Sequence, residues 1–106
     1  MARVDFDSYS YGVSIRSYNT KNNAASISLF RNGKQVASLH FHSDASLANK
    51  DPVLSETKVT LYYHMSMLDT IIDMLRNEDS VFLTFNIDKK VGWMATGKEG
   101  VGEGET

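Results

Sequence analysis

The segment LHFHSD, Leu39 to Asp44, sets His40 and His42 two residues apart, with a carboxylate, Asp44, two positions further on. On an extended strand, residues i and i+2 share a face with Cα atoms about 7 Å apart, so two imidazoles can converge on one ion. A zinc site needs a third or fourth ligand, for which the candidates are Asp44 and, on a separate strand, His64. The alternation itself argues against a metal. Leu39 and Phe41 fall on one face, and Ser38, His40 and His42 on the other, so the segment is explained as the wall of a sheet without any ion. The expectation is that LHFHSD is structural and that no cofactor is bound. A metal-dependent or small-molecule site on His40, His42 and His64 is the alternative.

Other chemistry is sparse. With no cysteine among 106 residues there are no disulfides, thiolate ligands or Cys nucleophile, which suits a reducing, cytoplasmic setting. No G-x-S-x-G turn marks a serine nucleophile. Asp69 and Asp73 lie one helical turn apart, on the side of their helix expected to face water. The glycines of GKEGVGEG lack the strand and helix that a phosphate loop requires, and the glutamates among them would repel phosphate. No catalytic residue is nominated, and the sequence reads as a non-catalytic binding or regulatory module.

Single-stranded nucleic acid is the ligand class that the remaining pattern suggests, because such binders combine cations with aromatic rings on which bases stack. Tyr11, Arg16, Tyr18, Lys21, Arg31 and Lys34 supply both types within one stretch. Residues 1–60 carry seven Lys/Arg against five Asp/Glu, and residues 61–106 carry four against eight, so the first part is the more basic one. The overall charge of −2 is low for a protein whose affinity rests on neutralising many phosphates.

The elements that must position these residues can be read from periodicity. Tyr11 to Tyr18 alternates as a strand, NTKNN is a loop, and ASISLF and QVASLHFH flank Asn32-Gly33, whose dipeptide is a strong hairpin signal. A regular hairpin there pairs Arg31 with Lys34, Leu29 with Val36 and Ile27 with Ser38. That register leaves large apolar residues on both faces, so either both faces are covered or a bulge switches the pattern. Residues Ser43 to Glu56 read as a surface loop with at most a helical turn. Val59, Leu61, Tyr63 and Met65 make a further strand. Ser66 and Asp69 form a capping box for a helix over Met67 to Asn77, with Leu68, Ile71, Ile72 and Leu75 as its buried stripe. SVFLTFNI and VGWMAT read as a closing hairpin. The fold expected is α+β, an antiparallel sheet of about four strands followed by one amphipathic helix and that hairpin. One domain spans residues 1–96, with a flexible Gly/Glu tail over 97–106. Apolar residues on both hairpin faces, under a single short helix, imply a homodimer. No apolar run is long enough for a membrane span.

Strands ending in VTLYYH and followed at once by MSMLDTIIDMLRNE resemble, in element order over residues 9–77, the Whirly and positive-cofactor-type single-stranded-DNA-binding regulators. That resemblance implies a dimer with helices packed across sheets. The chain departs from the pattern by adding SVFLTFNIDKKVGWMAT. LRNEDSVFLTFN with ATGKEGVGEGE is also similar to small uncharacterised bacterial proteins, which implies a fold relative and no activity.

Overall fold

The computed structural model describes residues 2–15, 23–43, 45–56, 58–78 and 80–97. Among these residues eight strands form two sheets: β1 Ala2–Asp5, β2 Ser8–Ile15, β3 Asn23–Arg31, β4 Lys34–His42, β5 Val53–Ser55, β6 Lys58–His64, β7 Val81–Asn86 and β8 Val91–Thr96. Two helices of the described residues accompany them, the four-residue α1 Ala45–Ala48 and the ten-residue α2 Leu68–Asn77, the latter entered through a 3-10 turn at Met65–Met67. The larger sheet runs β2-β3-β4-β6-β5 and the smaller β1-β7-β8. The fold is mixed α+β, but there are two sheets in place of one, and the larger is not purely antiparallel.

The hairpin turn forms where its sequence demands it. Asn32 and Gly33 both have positive φ, 53° and 80°, as a two-residue turn of this type requires. Beyond Phe30↔Gln35, however, the register slips by one residue, and Leu29 pairs with Ala37 rather than with Val36. Gln35 and Val36 together oppose Phe30, which is a β-bulge. Its effect is to sort the faces. Below it Ala25, Ile27 and Leu29 lie opposite Phe41, Leu39 and Ala37, and all six are buried. Ser26 and Ser28 lie opposite His40 and Ser38 on the other side. Of the two explanations for the mixed pattern, the bulge is the one that holds, and with it the hairpin's own argument for a partner on the second face disappears.

β6 lies parallel to β4, with Leu39↔Leu61 and Phe41↔Tyr63 in register. The intervening segment is more than a loop, since it holds α1 and then β5, which pairs antiparallel with Lys58–Thr60. This crossover makes the parallel pairing possible. One continuous core joins the two sheets and the helix. Ile71 of α2 and Leu83, Phe85 and Met94 of the small sheet pack on the β3-β4-β6 side chains, with Leu68, Ile72 and Leu75 partly buried beside them. Gly92 permits this close packing, because a Cβ there would stand 2.7 Å from Leu61 Cδ2 and the Leu61 side chain would have to shift. The Ser66–Asp69 capping box does not form. His64 Nδ1 accepts the Ser66 N–H at 3.1 Å and caps the 3-10 turn, while α2 starts at Leu68, behind Met67, which offers no side-chain cap. Among the described residues no helix is long and apolar enough to cross a membrane.

Tyr63 stacks on Phe41, with centroids 5.4 Å apart. Burial pushes its phenol up to about 12, and its hydroxyl is buried without a hydrogen-bond partner among the described residues. A buried hydroxyl left unbonded opposes folding, so Tyr63→Phe is expected to raise the unfolding free energy by about 1 kcal/mol in urea titrations. A clear loss of stability in that variant would show that the hydroxyl is satisfied.

Candidate functional site

The histidines take separate positions along one face. His40 stacks on Tyr62, its register partner on β6, at 5.6 Å between centroids, and its Nε2 is 3.0 Å from Ser38 Oγ. His42 lies in register with His64, but His64 Nδ1 is committed to Ser66, whose Oγ is 3.0 Å away. Among the described residues no three His, Asp or Glu side chains stand close enough to hold a metal ion. Asp44 lies outside the described residues. In the structure His40 packs on Tyr62 and His64 caps the 3-10 turn.

Burial holds the His40 imidazole below its ordinary value of 6.5, and the positive charges of His42, Lys58 and Lys50 act in the same direction. The unfolded chain therefore binds a proton more readily than the folded one. Stability contributed by neutral His40 is present above pH 6.5 and declines as the pH falls below it. Urea midpoints measured at pH 7.5 and 5.5 are expected to fall more for the wild type than for His40→Gln. Equal falls would mean that His40 titrates alike in both states.

Of the residues nominated for nucleic acid, Tyr11, Arg31 and Lys34 are described. Arg31 and Lys34 flank the Asn32-Gly33 tip, whereas Tyr11 pairs with Ile27, four residues down the ladder. Arg16, Tyr18 and Lys21 lie outside the described residues.

A different basic and aromatic group does come together. β5 reaches only as far as Thr60 on β6, so the edge of β6 beyond it carries no strand. Between that edge and β8 lies an open cleft of about 360 Å³ lined by Lys50, Tyr62, Lys90 and Trp93, with Pro52 and Leu61 among its walls. Trp93, on the outer side of the small sheet opposite Thr84, is 42% exposed. Lys50 Nζ stands 5.6 Å from the centre of the Tyr62 ring, a cation–π contact. Lys90 is 3.7 Å from Asp51, but both are mostly exposed, and such a pair is weak enough for a competing anion to displace. No protein-family model, curated protein or solved structure matches the chain.

The cleft thus offers one open indole, a tyrosine already backed by His40, and two lysines able to swing towards an anion. It contains no nucleophile with a base beside it. A second cleft of about 320 Å³, between Phe6–Tyr9, Leu75, Glu78 and Val81, has an acidic rim, and its Asp7 carboxylate accepts the Asn32 N–H at 3.0 Å. Anionic ligands are disfavoured there. Sequence reasoning missed the Lys50–Tyr62–Lys90–Trp93 group because its members are far apart in the chain. The signal within reach was the exposed tryptophan next to a Lys-Lys turn.

Proposed function

We propose that the protein is a non-catalytic binding module for single-stranded nucleic acid, with the cleft between β6 and β8 as its contact surface. The observation that carries this reading is the exposed Trp93 indole in one cleft with Lys90 and Lys50. A flat apolar surface flanked by cations suits a base with its phosphates, since base–aromatic stacking is tolerant of sequence and lysines follow the backbone. A helix entered directly from β6 also keeps the likeness in element order to the Whirly-type regulators within this proposal. The protein is further proposed to act as a homodimer in the cytoplasm. The absence of cysteine fits that compartment, and the apolar side chains left exposed on β2 support the dimer.

Trp93 is the chain's only tryptophan, so its fluorescence reports on the cleft alone. Titration with a random-sequence single-stranded DNA oligonucleotide is expected to quench it saturably at low salt and to weaken steeply as salt is raised. Unchanged emission at micromolar oligonucleotide would remove the proposal. Quenching by a zinc or nickel salt instead, reversed by chelator and lost in the His40→Ala/His42→Ala variant, would move the function to the histidine face.

A further inference from the structure

We propose that the dimer forms through β2, whose free edge pairs antiparallel with β2 of a second copy across a two-fold axis at Gly12. This inference rests on the dimeric reading above and adds its interface. Among the described residues β2 is an edge strand of the larger sheet and, at eight residues, the longest of the four edges. It pairs with β3 without irregularity from Ser8 to Ile15, so the backbone groups on its other side form an unbroken row. Proteins usually protect such a row with lysine, proline, a bulge or a covering element. SYSYGVSI contains no charged residue and no proline, and no bulge interrupts it.

The side chains point to the same partner. Tyr11 and Val13 lie on the face that buries the core elsewhere, opposite Ile27 and Ala25, yet they are 52% and 57% exposed. Neither α2 nor the small sheet covers them. The uncharged strand offers nothing to a phosphate backbone or to a charged peptide, whereas a copy of itself matches it. With Gly12 opposite Gly12 of the second copy, Tyr11 meets Val13 and Ser10 meets Ser14, so that like faces adjoin. Gly12 itself is otherwise unexplained. A Cβ there meets nothing within 4 Å, and its φ lies outside the range that favours glycine. A glycine inside a regular strand weakens it and often marks the close approach of another backbone. The edge of β6 and its cleft lie at the other side of the sheet, so pairing at β2 leaves the β6–β8 cleft of each copy open.

The test uses the whole chain. Gly12→Cys introduces the only thiol, and directly opposed Cα atoms of an antiparallel pair, roughly 4.5–5.5 Å apart, fall within disulfide range. Mild oxidation is expected to link Gly12→Cys into a covalent dimer and to leave Ser8→Cys, far from the axis, unlinked. By sedimentation Val13→Lys should be monomeric with an unchanged circular dichroism spectrum, while Thr70→Lys, on the exposed side of α2, should remain dimeric. A wild type that stays monomeric at 100 µM sinks both the dimer and its interface. A dimer that survives Val13→Lys, or links through Ser8→Cys rather than Gly12→Cys, sinks the β2 interface alone. Protection of β2 amides only on adding oligonucleotide would assign the edge to that ligand and overturn pairing with a second copy.

Discussion

A chain lacking Val36 is expected to fold, and a chain lacking Ser28 is not. The two deletions remove one residue each from the same hairpin, so composition does not separate them. Val36 is the surplus residue of the bulge. Without it, Gln35 still opposes Phe30 and Ala37 still opposes Leu29, and every lower pair keeps its partner. The loss is one half-buried side chain, about 1–2 kcal/mol. Deleting Ser28 shortens the strand opposite the bulge, so the surplus on β4 grows instead of absorbing the change. Ile27 and Leu29, both fully buried, become neighbours in the chain, and one of them must turn to the outer face. A large side chain taken out of such a core costs about 2–5 kcal/mol, and the ladders of β3 with β2 and β4 are broken at the same point. Circular dichroism and urea titration would read the difference. Cooperative unfolding in the Ser28 deletion together with a disordered Val36 deletion would mean that the bulge is misplaced.

Truncating Trp93 should weaken oligonucleotide binding by roughly 5- to 150-fold, the equivalent of about 1–3 kcal/mol for one stacked base. Because that variant lacks the fluorescent reporter, anisotropy of a labelled oligonucleotide is the measurement. Lys50→Ala and Lys90→Ala are expected to act differently, each reducing the salt dependence by about 0.7 of a released ion on a single strand. Lys90 carries the further effect of freeing Asp51, whose charge would then oppose a phosphate. Tyr11→Ala and Arg31→Ala, away from the cleft, should bind like the parent. Loss of binding in those two, with Trp93→Ala unaffected, would return the interface to the β2–β3 surface.

Locally encoded features were legible in the sequence. The Asn32-Gly33 turn, the α2 stripe and the β7–β8 hairpin each depend on residues within about a dozen positions, and each forms. The hairpin register did not follow from its turn, because a bulge is a backbone choice made to satisfy both faces of the finished sheet. Nothing in QVASLHFH alone marks where the extra residue goes, although the mixed faces showed that one was needed. The parallel pairing of β4 with β6 was hidden for another reason. A crossover normally takes a dozen or more residues with a recognisable helix, and here its helix is four residues and its extra strand three. β1, at four residues, is likewise too short to show a period. The candidate site was less legible than the fold, because the chemistry of Lys50, Tyr62 and Trp93 appears only when two sheets bring them to one cleft.

The pairing of β1 with β7 sets an order of events during synthesis. Ala2 lies opposite Phe85, and Val4 opposite Leu83, so β1 has no partner strand until about eighty more residues have been translated. At roughly 5–20 residues per second that delay is on the order of 4–16 s. Through that interval the nascent chain must keep a β-competent segment from pairing with something else. Arg3 and Asp5, joined by a 3.0 Å ion pair and alternating with the apolar positions of β1, give it charge during the delay. In the finished fold the Arg3 guanidinium lies over the Phe82 ring at 3.8 Å. β1 is thus made well before it can be placed, and the arginine that charges it in the interval lies against its partner strand in the finished fold.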